Sequence, residues 1–555
     1  MNYYLPFYFL LSFTFIKSFY LSSEFYKWVE THELYKELAF MSLQSDLLIV
    51  LLFFLAFYFS QKLGSKILFY LFLVLSILTM LLIYIDMQTL LTFNRRLLVV
   101  DILKFSSSGL ETTFIIKYFI IYVPLILITL AITYLLTFFV KKPYYLVMTL
   151  VVIMIIPTKT DYFKTHYLSK NIILTNLSFG YAKNYHDKKR YEQEFLNSHT
   201  LKKGDNNKSS FIIVLAESWS AVDSKQTSQL EIDNLPLFDE ISKEGKNFTN
   251  FFAEGSTTDQ AYISILTGLP ALLYNFNSDT YSPFYTNDNL INFLNDNNYH
   301  TSFYKAYSLD FLNIRQFLNH LNFTYIAGKE ERFNKEPFYS MNAVSDEVLY
   351  RETYQEIEKK ETPFFMMMTT ISTHIPFSTP DGDGETTAYH YSDKAFYDFY
   401  QKLKLSGYLQ DNYLILVGDH RKMTPLNKGE FQRYNESAFA RVACTIWGGD
   451  TTANSIDENF YNQTDITNSI KRVVAKETNL PKSYNDIFKE EIKRDFVIHD
   501  TFANRSEIVI FNQHTNISAT FHSDGDKSYI TPKNPHVLEY INTIKGHYQY
   551  RNTVQ

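Results

Sequence analysis

Only one cysteine, Cys444, occurs among 555 residues. A disulfide framework within the chain is excluded, and so is a cysteine-rich zinc site. Any bound metal is therefore held by oxygen and imidazole. A basic excess is also missing, since the formal net charge is -6 at pH 7. That leaves no electrostatic footprint for nucleic acid. No internal repeat is visible. Aromatic side chains are abundant instead, with 49 Phe and 43 Tyr, high for a soluble enzyme. The length implies about two or three domains.

The aromatic and aliphatic excess is concentrated in residues 1–160. Residues 4–22 are almost continuously apolar, interrupted by Lys17. Residues 46–60 and 66–85 form a close pair around Gln61-Lys62-Leu63-Gly64-Ser65-Lys66. Residues 118–139 and 144–157 form another, joined at Val140-Lys141-Lys142-Pro143. A spanning helix needs ~20 apolar residues. The runs 4–22, 66–85 and 118–139 reach that alone, whereas 46–60 and 144–157 need their flanks. A cleaved signal peptide is the rival for residues 1–22, but a basic leader and a clear cleavage site are missing. The expectation is a five-helix transmembrane bundle over residues 1–160, with spans near 4–22, 46–62, 66–85, 118–139 and 142–158. Lys62 with Lys66, and Lys141 with Lys142, mark the tightest loops as cytoplasmic. Everything after residue 160 then lies outside the cytoplasm. Arg95, Arg96 and Lys104 in residues 86–112 argue the other way. The spacing of Leu90, Leu91, Phe93, Leu97 and Leu98 there suggests an amphipathic helix on the outer membrane surface, or a loop packed on the bundle. Residues 161–208, charged around Asp187-Lys188-Lys189-Arg190, read as a juxtamembrane linker.

From residue 209 onward, apolar runs alternate with helical patterns. Strands are expected at 211–216, 246–252, 301–304, 364–370, 413–417 and 440–447. Helices are expected at 236–244, 259–267, 288–296, 309–320, 342–359, 390–406 and 464–474. Such alternation predicts an α/β domain with a mainly parallel sheet covered on both faces. Residues 493–530, with short alternating runs and Ser523-Asp524-Gly525-Asp526, predict a small C-terminal antiparallel element. The divisions are 209–485 for the catalytic domain and 486–555 for its C-terminal extension.

Polar residues cluster just after four of the predicted strands. Phe211-Ile212-Ile213-Val214-Leu215-Ala216 ends in Glu217, and Tyr413-Leu414-Ile415-Leu416-Val417 ends in Gly418-Asp419-His420. Between them come Gly255-Ser256-Thr257-Thr258-Asp259, leading to Leu266-Thr267-Gly268, and Thr370-Ile371-Ser372-Thr373-His374-Ile375-Pro376-Phe377. In α/β sheets, ligands bind at the carboxyl ends of strands. Glu, Asp and His suit a divalent cation. A Thr hydroxyl beside such a cation becomes acidic enough to attack. His374 is suited to protonating a leaving group or binding a phosphoryl oxygen. Each has an ordinary alternative: a helix N-terminal carboxylate, a helix N-cap at Thr-Thr-Asp, a polar turn at Asp-His, a structural His. Their joint occurrence at strand ends favours a site.

These segments resemble the alkaline phosphatase–sulfatase superfamily, in particular its membrane-anchored lipoteichoic acid synthase and phosphoglycerol transferase branch. The ordered set carries the resemblance, closing with Gln463-Thr464-Asp465-Ile466-Thr467. It implies a sulfatase-like, alkaline phosphatase-type fold in a multi-pass protein of the bacterial cytoplasmic membrane, with the catalytic domain extracytoplasmic. It implies a ping-pong transfer of a phosphoglycerol-type head group from a phosphatidylglycerol-like donor, through a phospho-threonine, to an envelope glycan or glycolipid acceptor. The alternative on this scaffold is a phosphoethanolamine transferase, or a hydrolase of phosphate or sulfate esters. Glu217, Thr258, Asp419 and His420 would hold the metal, Mn²⁺ by analogy, with Zn²⁺ or Mg²⁺ as alternatives. Thr258 and His374 would be catalytic. Counting back from Thr267 reaches Thr258 as nucleophile, whereas the short Gly-x-Thr form reaches Thr257. Where the branch carries a second substrate His, this chain has Phe303-Tyr304-Lys305. The branch's Trp-Asn-Arg motif survives only as Leu312-Asn313-Ile314-Arg315. Lys305 and Arg315 are the candidate substrate contacts beside His374.

Overall fold

In a computed structural model of the protein, the described residues are 5–28, 32–93, 123–140, 143–156, 173, 209–232, 234–271, 281, 287–360, 363–424, 426, 428–476, 484–489, 494–500, 508–512, 519–524 and 527–531. They divide between two units, Met1–Asn184 with Met423–Phe431, and Tyr185–Lys422 with Gln432–Gln555.

The first unit contains the helices α1 (Leu5–Trp28), α2 (His32–Lys62), α3 (Lys66–Phe93), α4 (Val123–Phe139) and α5 (Pro143–Ile155). Each covers one apolar run of the sequence. Because α2 starts well before residue 46, its apolar part, Phe40–Lys62, is long enough to cross a membrane, as is Lys66–Met87 of α3. Leu5–Phe19, Leu127–Phe139 and Tyr145–Ile155 are apolar but shorter. Phe7, Leu10, Leu47, Phe54, Phe57 and Leu150 share one core. The single charge of the first run is neutralised inside it: Lys17 donates to Asp46 at 2.6 Å, with both side chains buried. Leu90, Leu91 and Phe93 continue α3. The rest of the expected amphipathic segment, and the linker apart from Ile173, lie outside the described residues.

The second unit is built on an eight-stranded sheet. In chain order its strands are β1 (Phe211–Ala216), β2 (Lys246–Phe248), β3 (His300–Lys305), β4 (Tyr325–Ala327), β5 (Phe364–Thr369), β6 (Tyr413–Gly418), β7 (Cys444–Gly448) and β8 (Ser455–Asp457). The spatial order is β8-β2-β7-β6-β1-β5-β3-β4. From β6 to β4 all pairings are parallel, and β7 runs antiparallel to both neighbours. β1, β5 and β6 are fully buried. That is why they read as continuous apolar runs and not as alternation.

Among the helices of this unit are α6 (Pro236–Ser242), α7 (Thr258–Thr267), α8 (Leu290–Asp296), α9 (Ile314–His320), α10 (Asp346–Ile357), α11 (Glu385–Leu405) and α12 (Gln463–Ala475). Three expected elements change. The strand expected at 246–252 breaks in two, and Phe251–Phe252 pairs with Tyr461–Asn462 away from the main sheet. The helix expected at 309–320 is interrupted by left-handed Leu312 and Asn313. The strand expected from 440 begins at Cys444, because Asn435–Ala440 form a short 3-10 helix. A separate antiparallel sheet, β9 (Phe496–Asp500), β10 (Ile508–Asn512), β11 (Ala519–Asp524) and β12 (Lys527–Thr531), is the expected C-terminal element. Residues 532–555 lie outside the described set.

Candidate active site

The central order β6-β1-β5-β3 brings four strand ends side by side. Glu217 follows β1, and Asp419 with His420 follows β6. The Thr370–His374 loop follows β5, and Lys305 closes β3. The chain must turn sharply after β1, and Ser218 does so at a left-handed φ of 59°. That conformation costs a non-glycine residue ~1 kcal/mol or more. In return the Ser218 N–H donates to Asp419 Oδ1 at 2.7 Å, beside the His420 N–H at 2.8 Å. Gly418 is required by a close approach, since a Cβ there would sit 2.1 Å from the Trp219 carbonyl oxygen.

Thr258 opens α7, and its hydroxyl donates to Asp419 Oδ2 at 2.7 Å, with Glu217 Oε2 at 3.5 Å. Thr257 turns elsewhere, donating to Gln260 Oε1 at 3.0 Å. His420 Nε2 lies 3.3 Å from Asp419 Oδ2 and 3.7 Å from Glu217 Oε1. Its Nδ1 engages the Arg421 carbonyl at 3.0 Å. A carbonyl accepts only from N–H, so Nδ1 carries a proton and Nε2 is the ring nitrogen turned toward the carboxylates. One ligand atom each from Glu217, Asp419 and His420 lies within 4.8 Å of the others, and all three residues are buried. No Lys or Arg among the described residues pairs with either carboxylate. Burial first, and the Asp419 charge second, push the Glu217 carboxyl well above its ordinary range. Two buried carboxylates without a Lys or Arg partner, facing an imidazole nitrogen and a hydroxyl, fit a divalent cation.

A ring of hydrogen bonds that the sequence does not advertise holds this cluster. Thr370 Oγ1 accepts from the Glu217 N–H at 2.9 Å, and Thr373 Oγ1 donates to the Glu217 carbonyl. The loop carrying His374 is thereby tied to the end of β1. Tyr389 OH donates to the Ser218 carbonyl at 2.7 Å. Gln463 donates to the carbonyls of Gly418 and Asp419 at 2.9 and 2.8 Å. From β9, buried His499 holds the Ala253 carbonyl through Nδ1 at 2.8 Å and meets Ser256 Oγ through Nε2 at 3.4 Å. Burial lowers its pKa to about 4, so it stays neutral.

The remaining candidates fall in different places. The His374 Nδ1 turns to the Ile375 carbonyl. Lys305 is 1% exposed, and its ammonium lies 3.9 Å from the Tyr307 ring centroid. Arg315 is partly exposed and bound by Asp310 at 2.6 Å and Glu331 at 2.7 Å. It lines a polar cleft of about 600 Å³ with Asp310, Asn313, Gln316 and Asn319. The structure gives it no contact with the Glu217–Asp419 cluster.

The sulfatase family model matches residues 209–474. Lipoteichoic acid synthase 2 of Bacillus subtilis (strain 168) is 22% identical over 201 residues. That alignment covers 31% of this chain and 31% of the relative's length. A solved structure of an alkaline phosphatase superfamily protein from Vibrio parahaemolyticus shares the sulfatase-type fold, with a TM-score of 0.50 and 21% identity. It covers 66% of this chain and 91% of that one. Lipoteichoic acid synthase LtaP from Listeria monocytogenes superposes with a TM-score of 0.49 at 19% identity, covering 65% and 97%. The branch that the sulfatase motifs resemble is borne out by the family match and the Bacillus relative together.

Proposed function

We propose that the protein is a membrane-anchored transferase that moves a phosphoglycerol-type head group from a phospholipid to an envelope glycan. The observation that carries this reading is the Thr258 hydroxyl, 2.7 Å from Asp419 Oδ2 at the start of a buried helix. A divalent cation, Mn²⁺ by analogy, would be held by Glu217, Asp419, His420 and Thr258. When bound, it makes the Thr258 hydroxyl more acidic and draws negative charge from a phosphoryl oxygen.

Thr258 Oγ1 forms a bond to phosphorus, and the bond from phosphorus to the diacylglycerol oxygen breaks. Diacylglycerol leaves with one proton. Asp419 orients the Thr258 proton before attack, and His374 supplies a proton or a hydrogen bond to the departing oxygen. The positive end of α7, where Thr258 stands, stabilises the phosphorylated side chain. In the second half, an acceptor hydroxyl attacks phosphorus, the bond to Thr258 breaks, and Thr258 regains a proton. The helices α1–α5 would anchor the chain in a bacterial cytoplasmic membrane with the catalytic domain extracytoplasmic.

The test is mass spectrometry of the Thr258 peptide after incubation with phosphatidylglycerol vesicles. The expected result is a glycerol phosphate adduct on Thr258, and its loss in Thr258→Ala. Unchanged glycerol phosphate release by Thr258→Ala would overturn the reading.

A further inference from the structure

Lys305 is a buried ammonium inside a cage of rings. Its Nζ lies 3.9 Å from the Tyr307 centroid, 5.8 Å from Tyr262 and 5.7 Å from Phe311. Among the described residues it has no hydrogen-bond or ion-pair partner. Such cages are the usual device for binding a ligand's ammonium group. Here the protein's own side chain occupies the cage.

The cage adjoins the reacting group. Tyr262 stands one helical turn beyond Thr258 on the same face of α7. Lys305 pairs in register with Thr369, whose neighbour Thr370 holds the Glu217 N–H. The Glu217 charge reaches Lys305, Tyr262 and Tyr307. The Tyr262 hydroxyl meets the side chains of Thr369 and Tyr307 there, closing the cage against the end of β5.

We propose that Lys305 selects the head group. It fills the cage with a protein cation, so a neutral polyol phosphate is admitted and a cationic one, ethanolamine or choline phosphate, is repelled. This rests on the head-group transferase reading. Burial lowers the Lys305 pKa to about 7, against the charges of Asp259, Glu330, Glu217 and Asp310, so the lysine carries its full charge below neutral pH, where donor choice is read. Repulsion between like charges in such a site costs enough to set donor choice.

The experiment uses the full chain in vesicles of equal phosphatidylglycerol and phosphatidylethanolamine. The ratio of glycerol phosphate to ethanolamine phosphate on the Thr258 peptide is read by mass spectrometry. Wild type is expected to favour glycerol by about tenfold or more. Lys305→Met removes the charge and should reduce that ratio about tenfold, while Lys305→Arg keeps it. A ratio unchanged in Lys305→Met overturns the inference and leaves the transferase reading standing. Where Lys305→Met melts below wild type, Lys305→Arg decides, and loss of the ratio in both variants also overturns the inference. No glycerol phosphate on wild-type Thr258 overturns the transferase reading and the selector with it.

Discussion

Thr257 and Thr258 are adjacent and chemically identical, yet their surroundings give them different work. Thr258 faces two carboxylates, whereas Thr257 holds Gln260, which in turn accepts from the Ser256 N–H at 2.8 Å. Thr257→Val should therefore leave adduct formation within about threefold of wild type, while Thr258→Val lowers it by about a thousandfold or more. Single-turnover assays on the two variants check this. Glu254, in the same loop, is fully buried, and desolvation raises its pKa from 4.5 to about 7 despite a hydrogen bond from Thr464. A carboxyl with a raised folded pKa stabilises most below its unfolded pKa, and that contribution is lost as pH rises through about 7. The loss amounts to about 3 kcal/mol. Glu254→Gln should thus leave the melting temperature unchanged near pH 5 and raise it near pH 8. Thermal melts of both chains at the two pH values test the sign.

Elements were legible where burial makes their pattern uniform. β1, β5 and β6 read directly because both faces are covered, and the acid after β1 marked the site. β4 and β8 were not legible, being three residues each with mixed burial. The break in the strand expected at 246–252 was hidden because Phe248, Phe251 and Phe252 are all buried, though in two different sheets. Glu217, Thr258, Asp419 and His420 were singled out because they follow predicted strands, and the converging strand ends bring them together. Tyr389, Gln463 and His499 were missed because each acts through a backbone carbonyl or a neighbouring hydroxyl, which no spacing encodes. The same limit applies to Lys17, which reads as a blemish in an apolar run until Asp46 is seen opposite. Removing one partner of a buried pair strands the other charge, at a cost of about 3 kcal/mol or more. Lys17→Leu should therefore lower the thermal stability of the detergent-solubilised chain by several degrees. Lys17→Leu combined with Asp46→Leu should recover most of it. A double-mutant cycle of melting temperatures measures the coupling, and additive losses would show that the pair does not hold α1 to α2.

For the whole molecule, the carboxylate pair is a cost until a cation neutralises it. The catalytic unit places Glu217 and Asp419 together, buries both, and supplies no Lys or Arg partner among the described residues. A folded chain stripped of divalent ions carries this repulsion, and the unfolded chain does not. A cation that binds only the folded form adds about 2.7 kcal/mol at a hundred times its dissociation constant. For a domain of this size that is a shift of about 4–5 °C. Chelator-treated protein should therefore melt lower, and Mn²⁺ should restore the loss, with Zn²⁺ and Mg²⁺ ranking the ion preference. Asp419→Asn should melt above the chelated wild type, because the repulsion is gone, and respond little to added Mn²⁺, because one ligand charge is gone. His420→Ala should bind the ion more weakly yet retain part of the shift, since both carboxylates remain. A chelator-insensitive melting temperature in wild type, measured by calorimetry alongside head-group release, would mean that the two carboxylates share a proton instead of an ion.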